Sequence, residues 1–337
     1  MTIAIFFVGI FVHAAGAIPG IGDAEPIIIR LSSDTPEPFE KITARAESVR
    51  YDVNRIRIQW LINGKQTSSG IGNTSVTFET GDVGTATNVR MVAEVSPLGI
   101  VLQTINVVPA SIDLLWQSNV YVPPFYRGKA LASSAAELKV VAIPNVFKQG
   151  KKIPAKELVY HWKLSDKTLV SQSGYGKDAI IITGARIYGD AEVSVEVSSL
   201  DGSIMAKKFL RIPSVDPKLV FYENHPLEGV RYAHALNGEF NLSGKEVVVR
   251  AEPYFFSNFS TLNYEWFLNN QTIEVAREKW NDLILRQEGG AGGVSKIDLS
   301  VQNGENTRGR ILQNAAAALL ISFGEQRGAG AGTFFGQ

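Results

Sequence analysis

The chain has 337 residues, 45% of them hydrophobic and 20% charged, with Lys plus Arg and Asp plus Glu balanced at 33 each. That length exceeds what one hydrophobic core serves and predicts two or three domains, while the balanced charge gives no pull toward nucleic acid. Cysteine is absent, which excludes disulfides, thiolate nucleophiles, cysteine zinc sites and iron–sulfur clusters together.

In chain order, the first predicted element is a leader. Ile3 to Val12 is an apolar run, and Ala15-Gly16-Ala17 supplies the small-x-small pattern that signal peptidase reads. Residues 1–17 are therefore expected to be a signal peptide, cut after Ala17. The alternative is an uncleaved membrane anchor, although Ile3 to Ile18 falls short of the ~20 apolar residues that span a bilayer. Either way the expected address is the cell envelope or the exterior, with a membrane engaged only through this segment.

Beyond the leader one pattern occurs three times. Trp60, Trp162 and Trp266 lie 102 and 104 residues apart, each in a short alternating strand that runs into a polar turn. The three strands are Ile56 to Ile62, Leu158 to Leu164 and Leu262 to Leu268, and the turns begin at Asn63-Gly64, Ser165-Asp166 and Asn269-Asn270. Upstream of each sits a β-rich segment ending in Ala: Ile42 to Ala46, Leu138 to Ala142 and Val247 to Ala251. Downstream, Ser75 to Phe78, Val89 to Val95, Ala179 to Thr183, Val193 to Val197 and Ile297 to Val301 alternate apolar with polar residues, as strands do when one face is buried and the other wet. Gly81-Asp82-Val83-Gly84, Asp201-Gly202 and Asn303-Gly304 supply turn chemistry between them. The stretch from Ala315 to Phe323 is read as a final strand.

These observations predict an all-β chain of three tandem immunoglobulin-like sandwiches, with Trp60, Trp162 and Trp266 as structural core residues plugging the space between two sheets. Proline punctuation sets the boundaries at 24–109, 111–213 and 216–324, followed by a flexible Gly-rich tail over 325–337. The linkers around Pro109 and Pro213 to Pro217 are short, which favours end-to-end stacking into a rod.

The strand carrying Trp60-Leu61-Ile62-Asn63-Gly64, and the turn Glu79 to Thr85 before Val89 to Val95, resemble the PKD and related immunoglobulin-like domains of bacterial surface proteins. Tyr254-Phe255-Phe256-Ser257 followed by Tyr264-Glu265-Trp266 is similar to multi-domain immunoglobulin-like envelope proteins encoded near type IV pilus genes. The resemblance spans residues 25 to 324 and implies a PKD-like sandwich fold and an exported, surface-bound role.

Catalytic chemistry is hard to find. His161, His225 and His234 lack zinc-ligand spacing, and no Gly-x-Ser-x-Gly elbow exists. Glu274, Glu278 and Asp282 read as a solvated segment rather than a glycosidase pair. Asp23, Glu25, Asp34, Glu37 and Glu40 crowd one end of the first domain, where a junction calcium is conceivable, yet no Asp-x-Asp-x-Asp-Gly loop is present. No catalytic, cofactor-binding or metal-ligating residues are assigned, and no enzymatic activity or cofactor is expected.

Two groups remain as candidate contacts with a protein or glycan partner at the cell surface. Lys148, Lys151 and Lys152, with Lys156 nearby, form a basic loop that suits an acidic partner or an anionic glycan, and otherwise is a solvated lysine loop. Trp116, Tyr121, Phe125 and Tyr126 flank Pro123-Pro124, and Phe221, Tyr222 and Tyr232 follow the next linker. Exposed, such rings stack on sugars; packed, they form seams. The leading functional expectation is a non-enzymatic rod-like spacer, adhesion or assembly component, including pilus-associated assembly. The alternative is a carbohydrate-binding accessory module.

Overall fold

A computed structural model describes residues 27–96, 98–134, 136–184, 189–242, 244–257, 259–276, 279–288, 292–303 and 313–323. The expected leader at 1–17 and tail at 325–337 lie outside the described residues, as do Asp23, Glu25, Glu278 and Gly304. Among the described residues the named elements are β-strands and four three-residue 3-10 turns. The chain packs as two compact units, one from the described residues within 1–115, 140–180 and 192–210, the other from those within 116–139, 181–191 and 211–337.

The first seven strands are β1 (Ile28–Leu31), β2 (Lys41–Glu47), β3 (Arg57–Ile62), β4 (Lys65–Ile71), β5 (Ser75–Glu79), β6 (Thr87–Val95) and β7 (Gly99–Val107). They form two sheets, ordered β1-β2-β5 and β4-β3-β6-β7. Alternation builds the core, because Ile42, Ala44 and Ala46 of one sheet and Ile58, Trp60, Val89, Met91 and Ala93 of the other point inward and lose nearly all contact with solvent. Asn63 and Gly64, both at positive φ (51° and 78°), close the β3–β4 hairpin, as this turn requires. Gly84 also sits at positive φ (78°) and donates its N–H to Pro109 O at 2.9 Å; a Cβ there would overlap the Phe147 ring.

The middle strands are β8 (Ser111–Ser118), β9 (Glu137–Asn145), β10 (Phe147–Lys148), β11 (Lys151–Lys152), β12 (Val159–Leu164), β13 (Lys167–Thr168), β14 (Gly174–Tyr175), β15 (Ala179–Thr183), β16 (Ala191–Ser198) and β17 (Met205–Ile212). Their sheets run β15-β9-β8 and β13-β12-β16-β17, with β14 also on β12 and β10 paired with β11 as a separate hairpin. Val140, Ala142, Tyr160, Trp162, Ile180, Val193, Val195 and Val197 are buried.

The remaining strands are β18 (Lys218–His225), β19 (Gly229–Leu236), β20 (Glu239–Leu242), β21 (Glu246–Tyr254), β22 (Asn263–Leu268), β23 (Gln271–Ile273), β24 (Asp282–Arg286), β25 (Gly293–Gln302) and β26 (Asn314–Phe323). They make the sheets β19-β18-β21-β24 and β20-β26-β25-β22-β23 around one core that includes Phe221, Val249, Phe256, Trp266, Leu299 and Ile321. The final strand expected from Ala315 to Phe323 is β26, and it takes β20 beside it in parallel, Glu239 against Leu320 through Leu242 against Phe323.

The three tryptophans repeat in detail. Trp60, Trp162 and Trp266 are at most 1% exposed and lie opposite Met91, Val195 and Leu299 on the neighbouring strand. A buried indole N–H needs an acceptor. Each finds a main-chain carbonyl a little further along: Nε1 of Trp60 donates to Asn73 O at 2.9 Å, Trp162 to Lys177 O at 2.8 Å and Trp266 to Trp280 O at 2.7 Å. A 3-10 turn precedes each indole strand, at Val53–Arg55, Ala155–Glu157 and Phe259–Thr261. A positive-φ residue follows each strand, with the N–H of Asn63, Ser165 and Asn269 donating to Asn88, Glu192 and Lys296 O. Gly70-Ile71 and Gly174-Tyr175 end β4 and β14, and the positive-φ glycine after each is held alike, Gly72 N–H donating to Ile56 O and Gly176 N–H to Leu158 O.

Candidate binding surface

The segment after β8 belongs to the second compact unit and is fastened there along its length. Tyr121 N–H donates to Phe256 O at 2.7 Å and Phe255 N–H to Tyr121 O at 2.8 Å, so residue 121 continues the main chain of β21 sideways. Further along, the buried Gln313 amide donates to Ser133 Oγ at 2.7 Å and Ser134 O at 2.9 Å while accepting from Ser257 N–H and Oγ.

Beneath this segment lies a buried charge. Glu252 is 1% exposed, a position where a carboxylate persists only when it is paired and hydrogen-bonded. Tyr121 OH donates to its Oε2 at 2.9 Å, and Tyr232 OH and Arg250 Nε donate to Oε1 at 2.8 and 3.2 Å. Arg250 also donates to Asp282 Oδ2 at 2.9 Å, and with its amide turned, Asn281 accepts from the same guanidinium at 3.2 Å. Burial, then the charge and the hydrogen bond of Glu252, push the Tyr121 phenol far above its ordinary value. Burial and the Glu252 hydrogen bond likewise push Tyr232 up to about 12. The Tyr222 and Tyr254 hydroxyls share a hydrogen bond at 2.7 Å beside them.

On that base stand the outer rings. Pro123 O accepts from Tyr126 N–H at 2.9 Å, closing a tight turn whose middle residues are Pro124 and Phe125. The turn thrusts Phe125 outward, 69% exposed, with its ring 4.9 Å from that of Tyr232. Tyr126 packs edge-on against Tyr254 and Phe255 at 5.6 and 5.9 Å. Pro124, Phe125, Tyr126, Arg127, Val230 and Tyr232 thus border an open groove of about 500 Å³. Its chemistry is three aromatic side chains, an apolar wall and one guanidinium.

The candidate aromatics therefore divide. Phe125 and Tyr126 reach the groove, whereas Tyr121 is bound into the Glu252 network. Trp116 is half-buried, and Lys129 Nζ stands 3.3 Å from its ring centre, a cation–π contact that occupies one face of the indole. Tyr232 was noted in the sequence with its neighbours. Glu252 and Arg250 were not, although Glu252 occupies the repeat position held by Ile143 in the preceding copy.

The lysines lie on the β10–β11 hairpin in the first unit. Lys148 is ion-paired with Asp201, which with Ser199 and Ser203 holds that carboxyl well below the usual carboxylate range. Lys152 donates to Asn145 Oδ1 at 2.7 Å, Lys156 pairs with Asp178 at 2.8 Å, and Lys151 is exposed. Two of the four cations thus have carboxylate partners. Among the described residues no group of three His, Asp or Glu side chains is placed to hold a metal ion, and no helix is long and apolar enough to cross a membrane. Asp282, one of the three carboxylates considered for hydrolysis, is engaged by Arg250.

No protein-family model and no curated protein matches the sequence. Among solved structures, the chain is similar to three N-terminal domains of the outer capsid protein Hoc of bacteriophage RB49 at 12% identity, covering 89% of this chain and 99% of that one, with a TM-score of 0.26. It is also similar to the fibronectin(III)-like modules of Clostridium thermocellum CbhA at 16% identity, covering 56% and 93%, with a TM-score of 0.28. A third likeness is the central fibronectin-III array of RIM-binding protein at 9% identity, covering 87% and 95%, with a TM-score of 0.29. The paired sheets and their repeated indole bonds define the fold independently of these likenesses.

Proposed function

We propose that the chain is a non-enzymatic, exported cell-envelope or surface protein of three tandem immunoglobulin-like sandwiches, over 24–109, 111–213 and 216–324, that binds carbohydrate through the Phe125 groove. The observation that carries this reading is Phe125 itself, a large ring held out in solvent by a proline turn beside Tyr232, over a base of buried hydrogen bonds. Single exposed rings are ordinary, and Phe39 and Phe209 are exposed as well; what sets Phe125 apart is a second ring, Tyr232, 4.9 Å away on the same groove. A sugar's C–H face stacks on such rings while its hydroxyls take polar neighbours. Tyr126 would supply a third ring and Arg127 the polar contact. The three indole-to-carbonyl bonds support the tandem-domain part of the proposal.

The test is retardation of the chain in native gels containing soluble polysaccharides. Binding to at least one polysaccharide is expected, with at least a tenfold loss in Phe125→Ala and none in Lys151→Ala. No retardation by any polysaccharide, or binding unchanged in Phe125→Ala, contradicts the assignment. A second reading, an adhesion or pilus-associated assembly component, draws on the resemblance carried by Tyr254 to Ser257, and predicts a protein partner instead.

A further inference from the structure

The three copies of the fold treat one edge in three ways. In each, the strand that follows the neighbour of the indole strand ends its sheet or nearly so: β7, β17 and β26. The edge of β26 is taken by β20, paired in parallel over four residues. The edge of β17 carries Lys207, Lys208 and Arg211, all exposed, and charges of this kind discourage another strand from adding. Neither device protects β7. Among the described residues β7 pairs only with β6, and its sequence, Gly-Ile-Val-Leu-Gln-Thr-Ile-Asn-Val, holds no charge and no proline.

The strand is also regular. All nine residues pair with β6 without a register shift, Thr87 against Val107 through Val95 against Gly99, so no bulge twists the edge away. The opposite edge of the same sheet differs, since β4 is polar and its pairing with β3 shifts register between Trp60 and Leu61. Leu98, Ile100 and Leu102 are 53%, 67% and 62% exposed, and they cluster at the start of β7. A long, flat, uncharged edge with apolar side chains is a template for strand addition.

We infer that β7 pairs antiparallel with β7 of a second copy of this chain, joining two four-stranded sheets into one of eight strands. Charge selects this occupant. Self-pairing of β7 sets no like charges together, whereas self-pairing of β17 would oppose lysines and an arginine. A two-fold axis through Gln103 pairs all nine residues, placing Leu102 opposite Thr104 and Ile100 opposite Asn106 on the outer face, and Val101 opposite Ile105 on the core face. Such an interface is isologous and uses none of the residues that border the Phe125 groove, so it stands apart from the carbohydrate proposal.

Sedimentation equilibrium of the full chain tests it. The native chain is expected at twice its monomer mass in the micromolar range, and the double variant Leu102→Lys, Thr104→Lys at the monomer mass with an unchanged thermal transition. Because the chain has no cysteine, a second measurement is clean. Leu102→Cys and Thr104→Cys chains, mixed and oxidised, are expected to give a disulfide-linked dimer, and Thr67→Cys on β4 none. A monomeric native chain, a dimer that survives the double lysine variant, or absence of the mixed disulfide overturns the inference.

Discussion

The Trp60 sandwich and the Trp266 sandwich share a core and differ in what lies on their outer faces. Both bury an indole between two sheets and satisfy its N–H with a carbonyl 13 or 14 residues on. Around Trp60 the structure is spare, and the outer faces of its sheets carry exposed threonines, lysines and the bare edge of β7. Around Trp266 the outer face of β18 and β21 is covered by the segment from Tyr121 to Arg127, and the covering traps a carboxylate, a guanidinium and four tyrosines. The core fixes the fold, and specialisation comes from what is laid over it.

The sharpest way to break this comparison is to remove the shared part. Trp60→Ala and Trp266→Ala should each cost about 3–5 kcal/mol, measured by denaturant unfolding, since each leaves a large cavity and an orphaned carbonyl. Unequal losses, with one below about 1 kcal/mol, would show that the two cores are not equivalent.

Next in size is the part that differs. Glu252→Leu should cost about 3 kcal/mol, because Arg250 and two phenols lose a buried acceptor, and Tyr121 loses its anchor. The matching substitution in the preceding copy, Ile143→Ala, should stay within about 0.5 kcal/mol, since Ile143 is 43% exposed. Equal effects would erase the distinction between a covered and an uncovered face.

A smaller effect reports on phenols of both units through pH. Burial, with the charge of Asp178, pushes the Tyr160 phenol up to about 12, and Tyr232 rises to about 12 for the reasons given above. The unfolded chain releases these protons near its ordinary value of about 10, before the folded chain does. Their contribution to stability is therefore constant below about pH 10 and is lost as pH rises toward about 12. Denaturation midpoints from about pH 9 to about pH 11.5 should fall accordingly, and Tyr232→Phe should flatten part of the fall. The least effect is expected at Lys148→Ala, within about 1 kcal/mol, because its ion pair with Asp201 is half exposed.

Much of the fold was legible in the sequence because alternation and a repeated tryptophan are local signals. Trp60, Trp162 and Trp266 stand out at near-constant spacing, and the inward sets such as Val89, Met91 and Ala93 follow from a period of two. The candidate site was legible only in part. Phe125 and Tyr126 attract notice as aromatics beside prolines, but nothing local says that Tyr121 meets Glu252, 131 residues away. Glu252 itself looks like a solvent-facing strand residue, and its burial depends on a segment that arrives from far upstream. The parallel pairing of β20 with β26 was hidden for the same reason, since parallel neighbours leave no turn signature.

Exchange of the five indole N–H protons with solvent, followed by nuclear magnetic resonance and assigned with single Trp→Phe variants, tests the central claim most directly. Three buried indoles bonded to main-chain carbonyls predict three strongly protected signals, from Trp60, Trp162 and Trp266, with Trp116 and Trp280 exchanging faster. Rapid exchange at any one of the three would mean that its ring does not plug a core, and would contradict the threefold repetition on which the reading of this molecule stands.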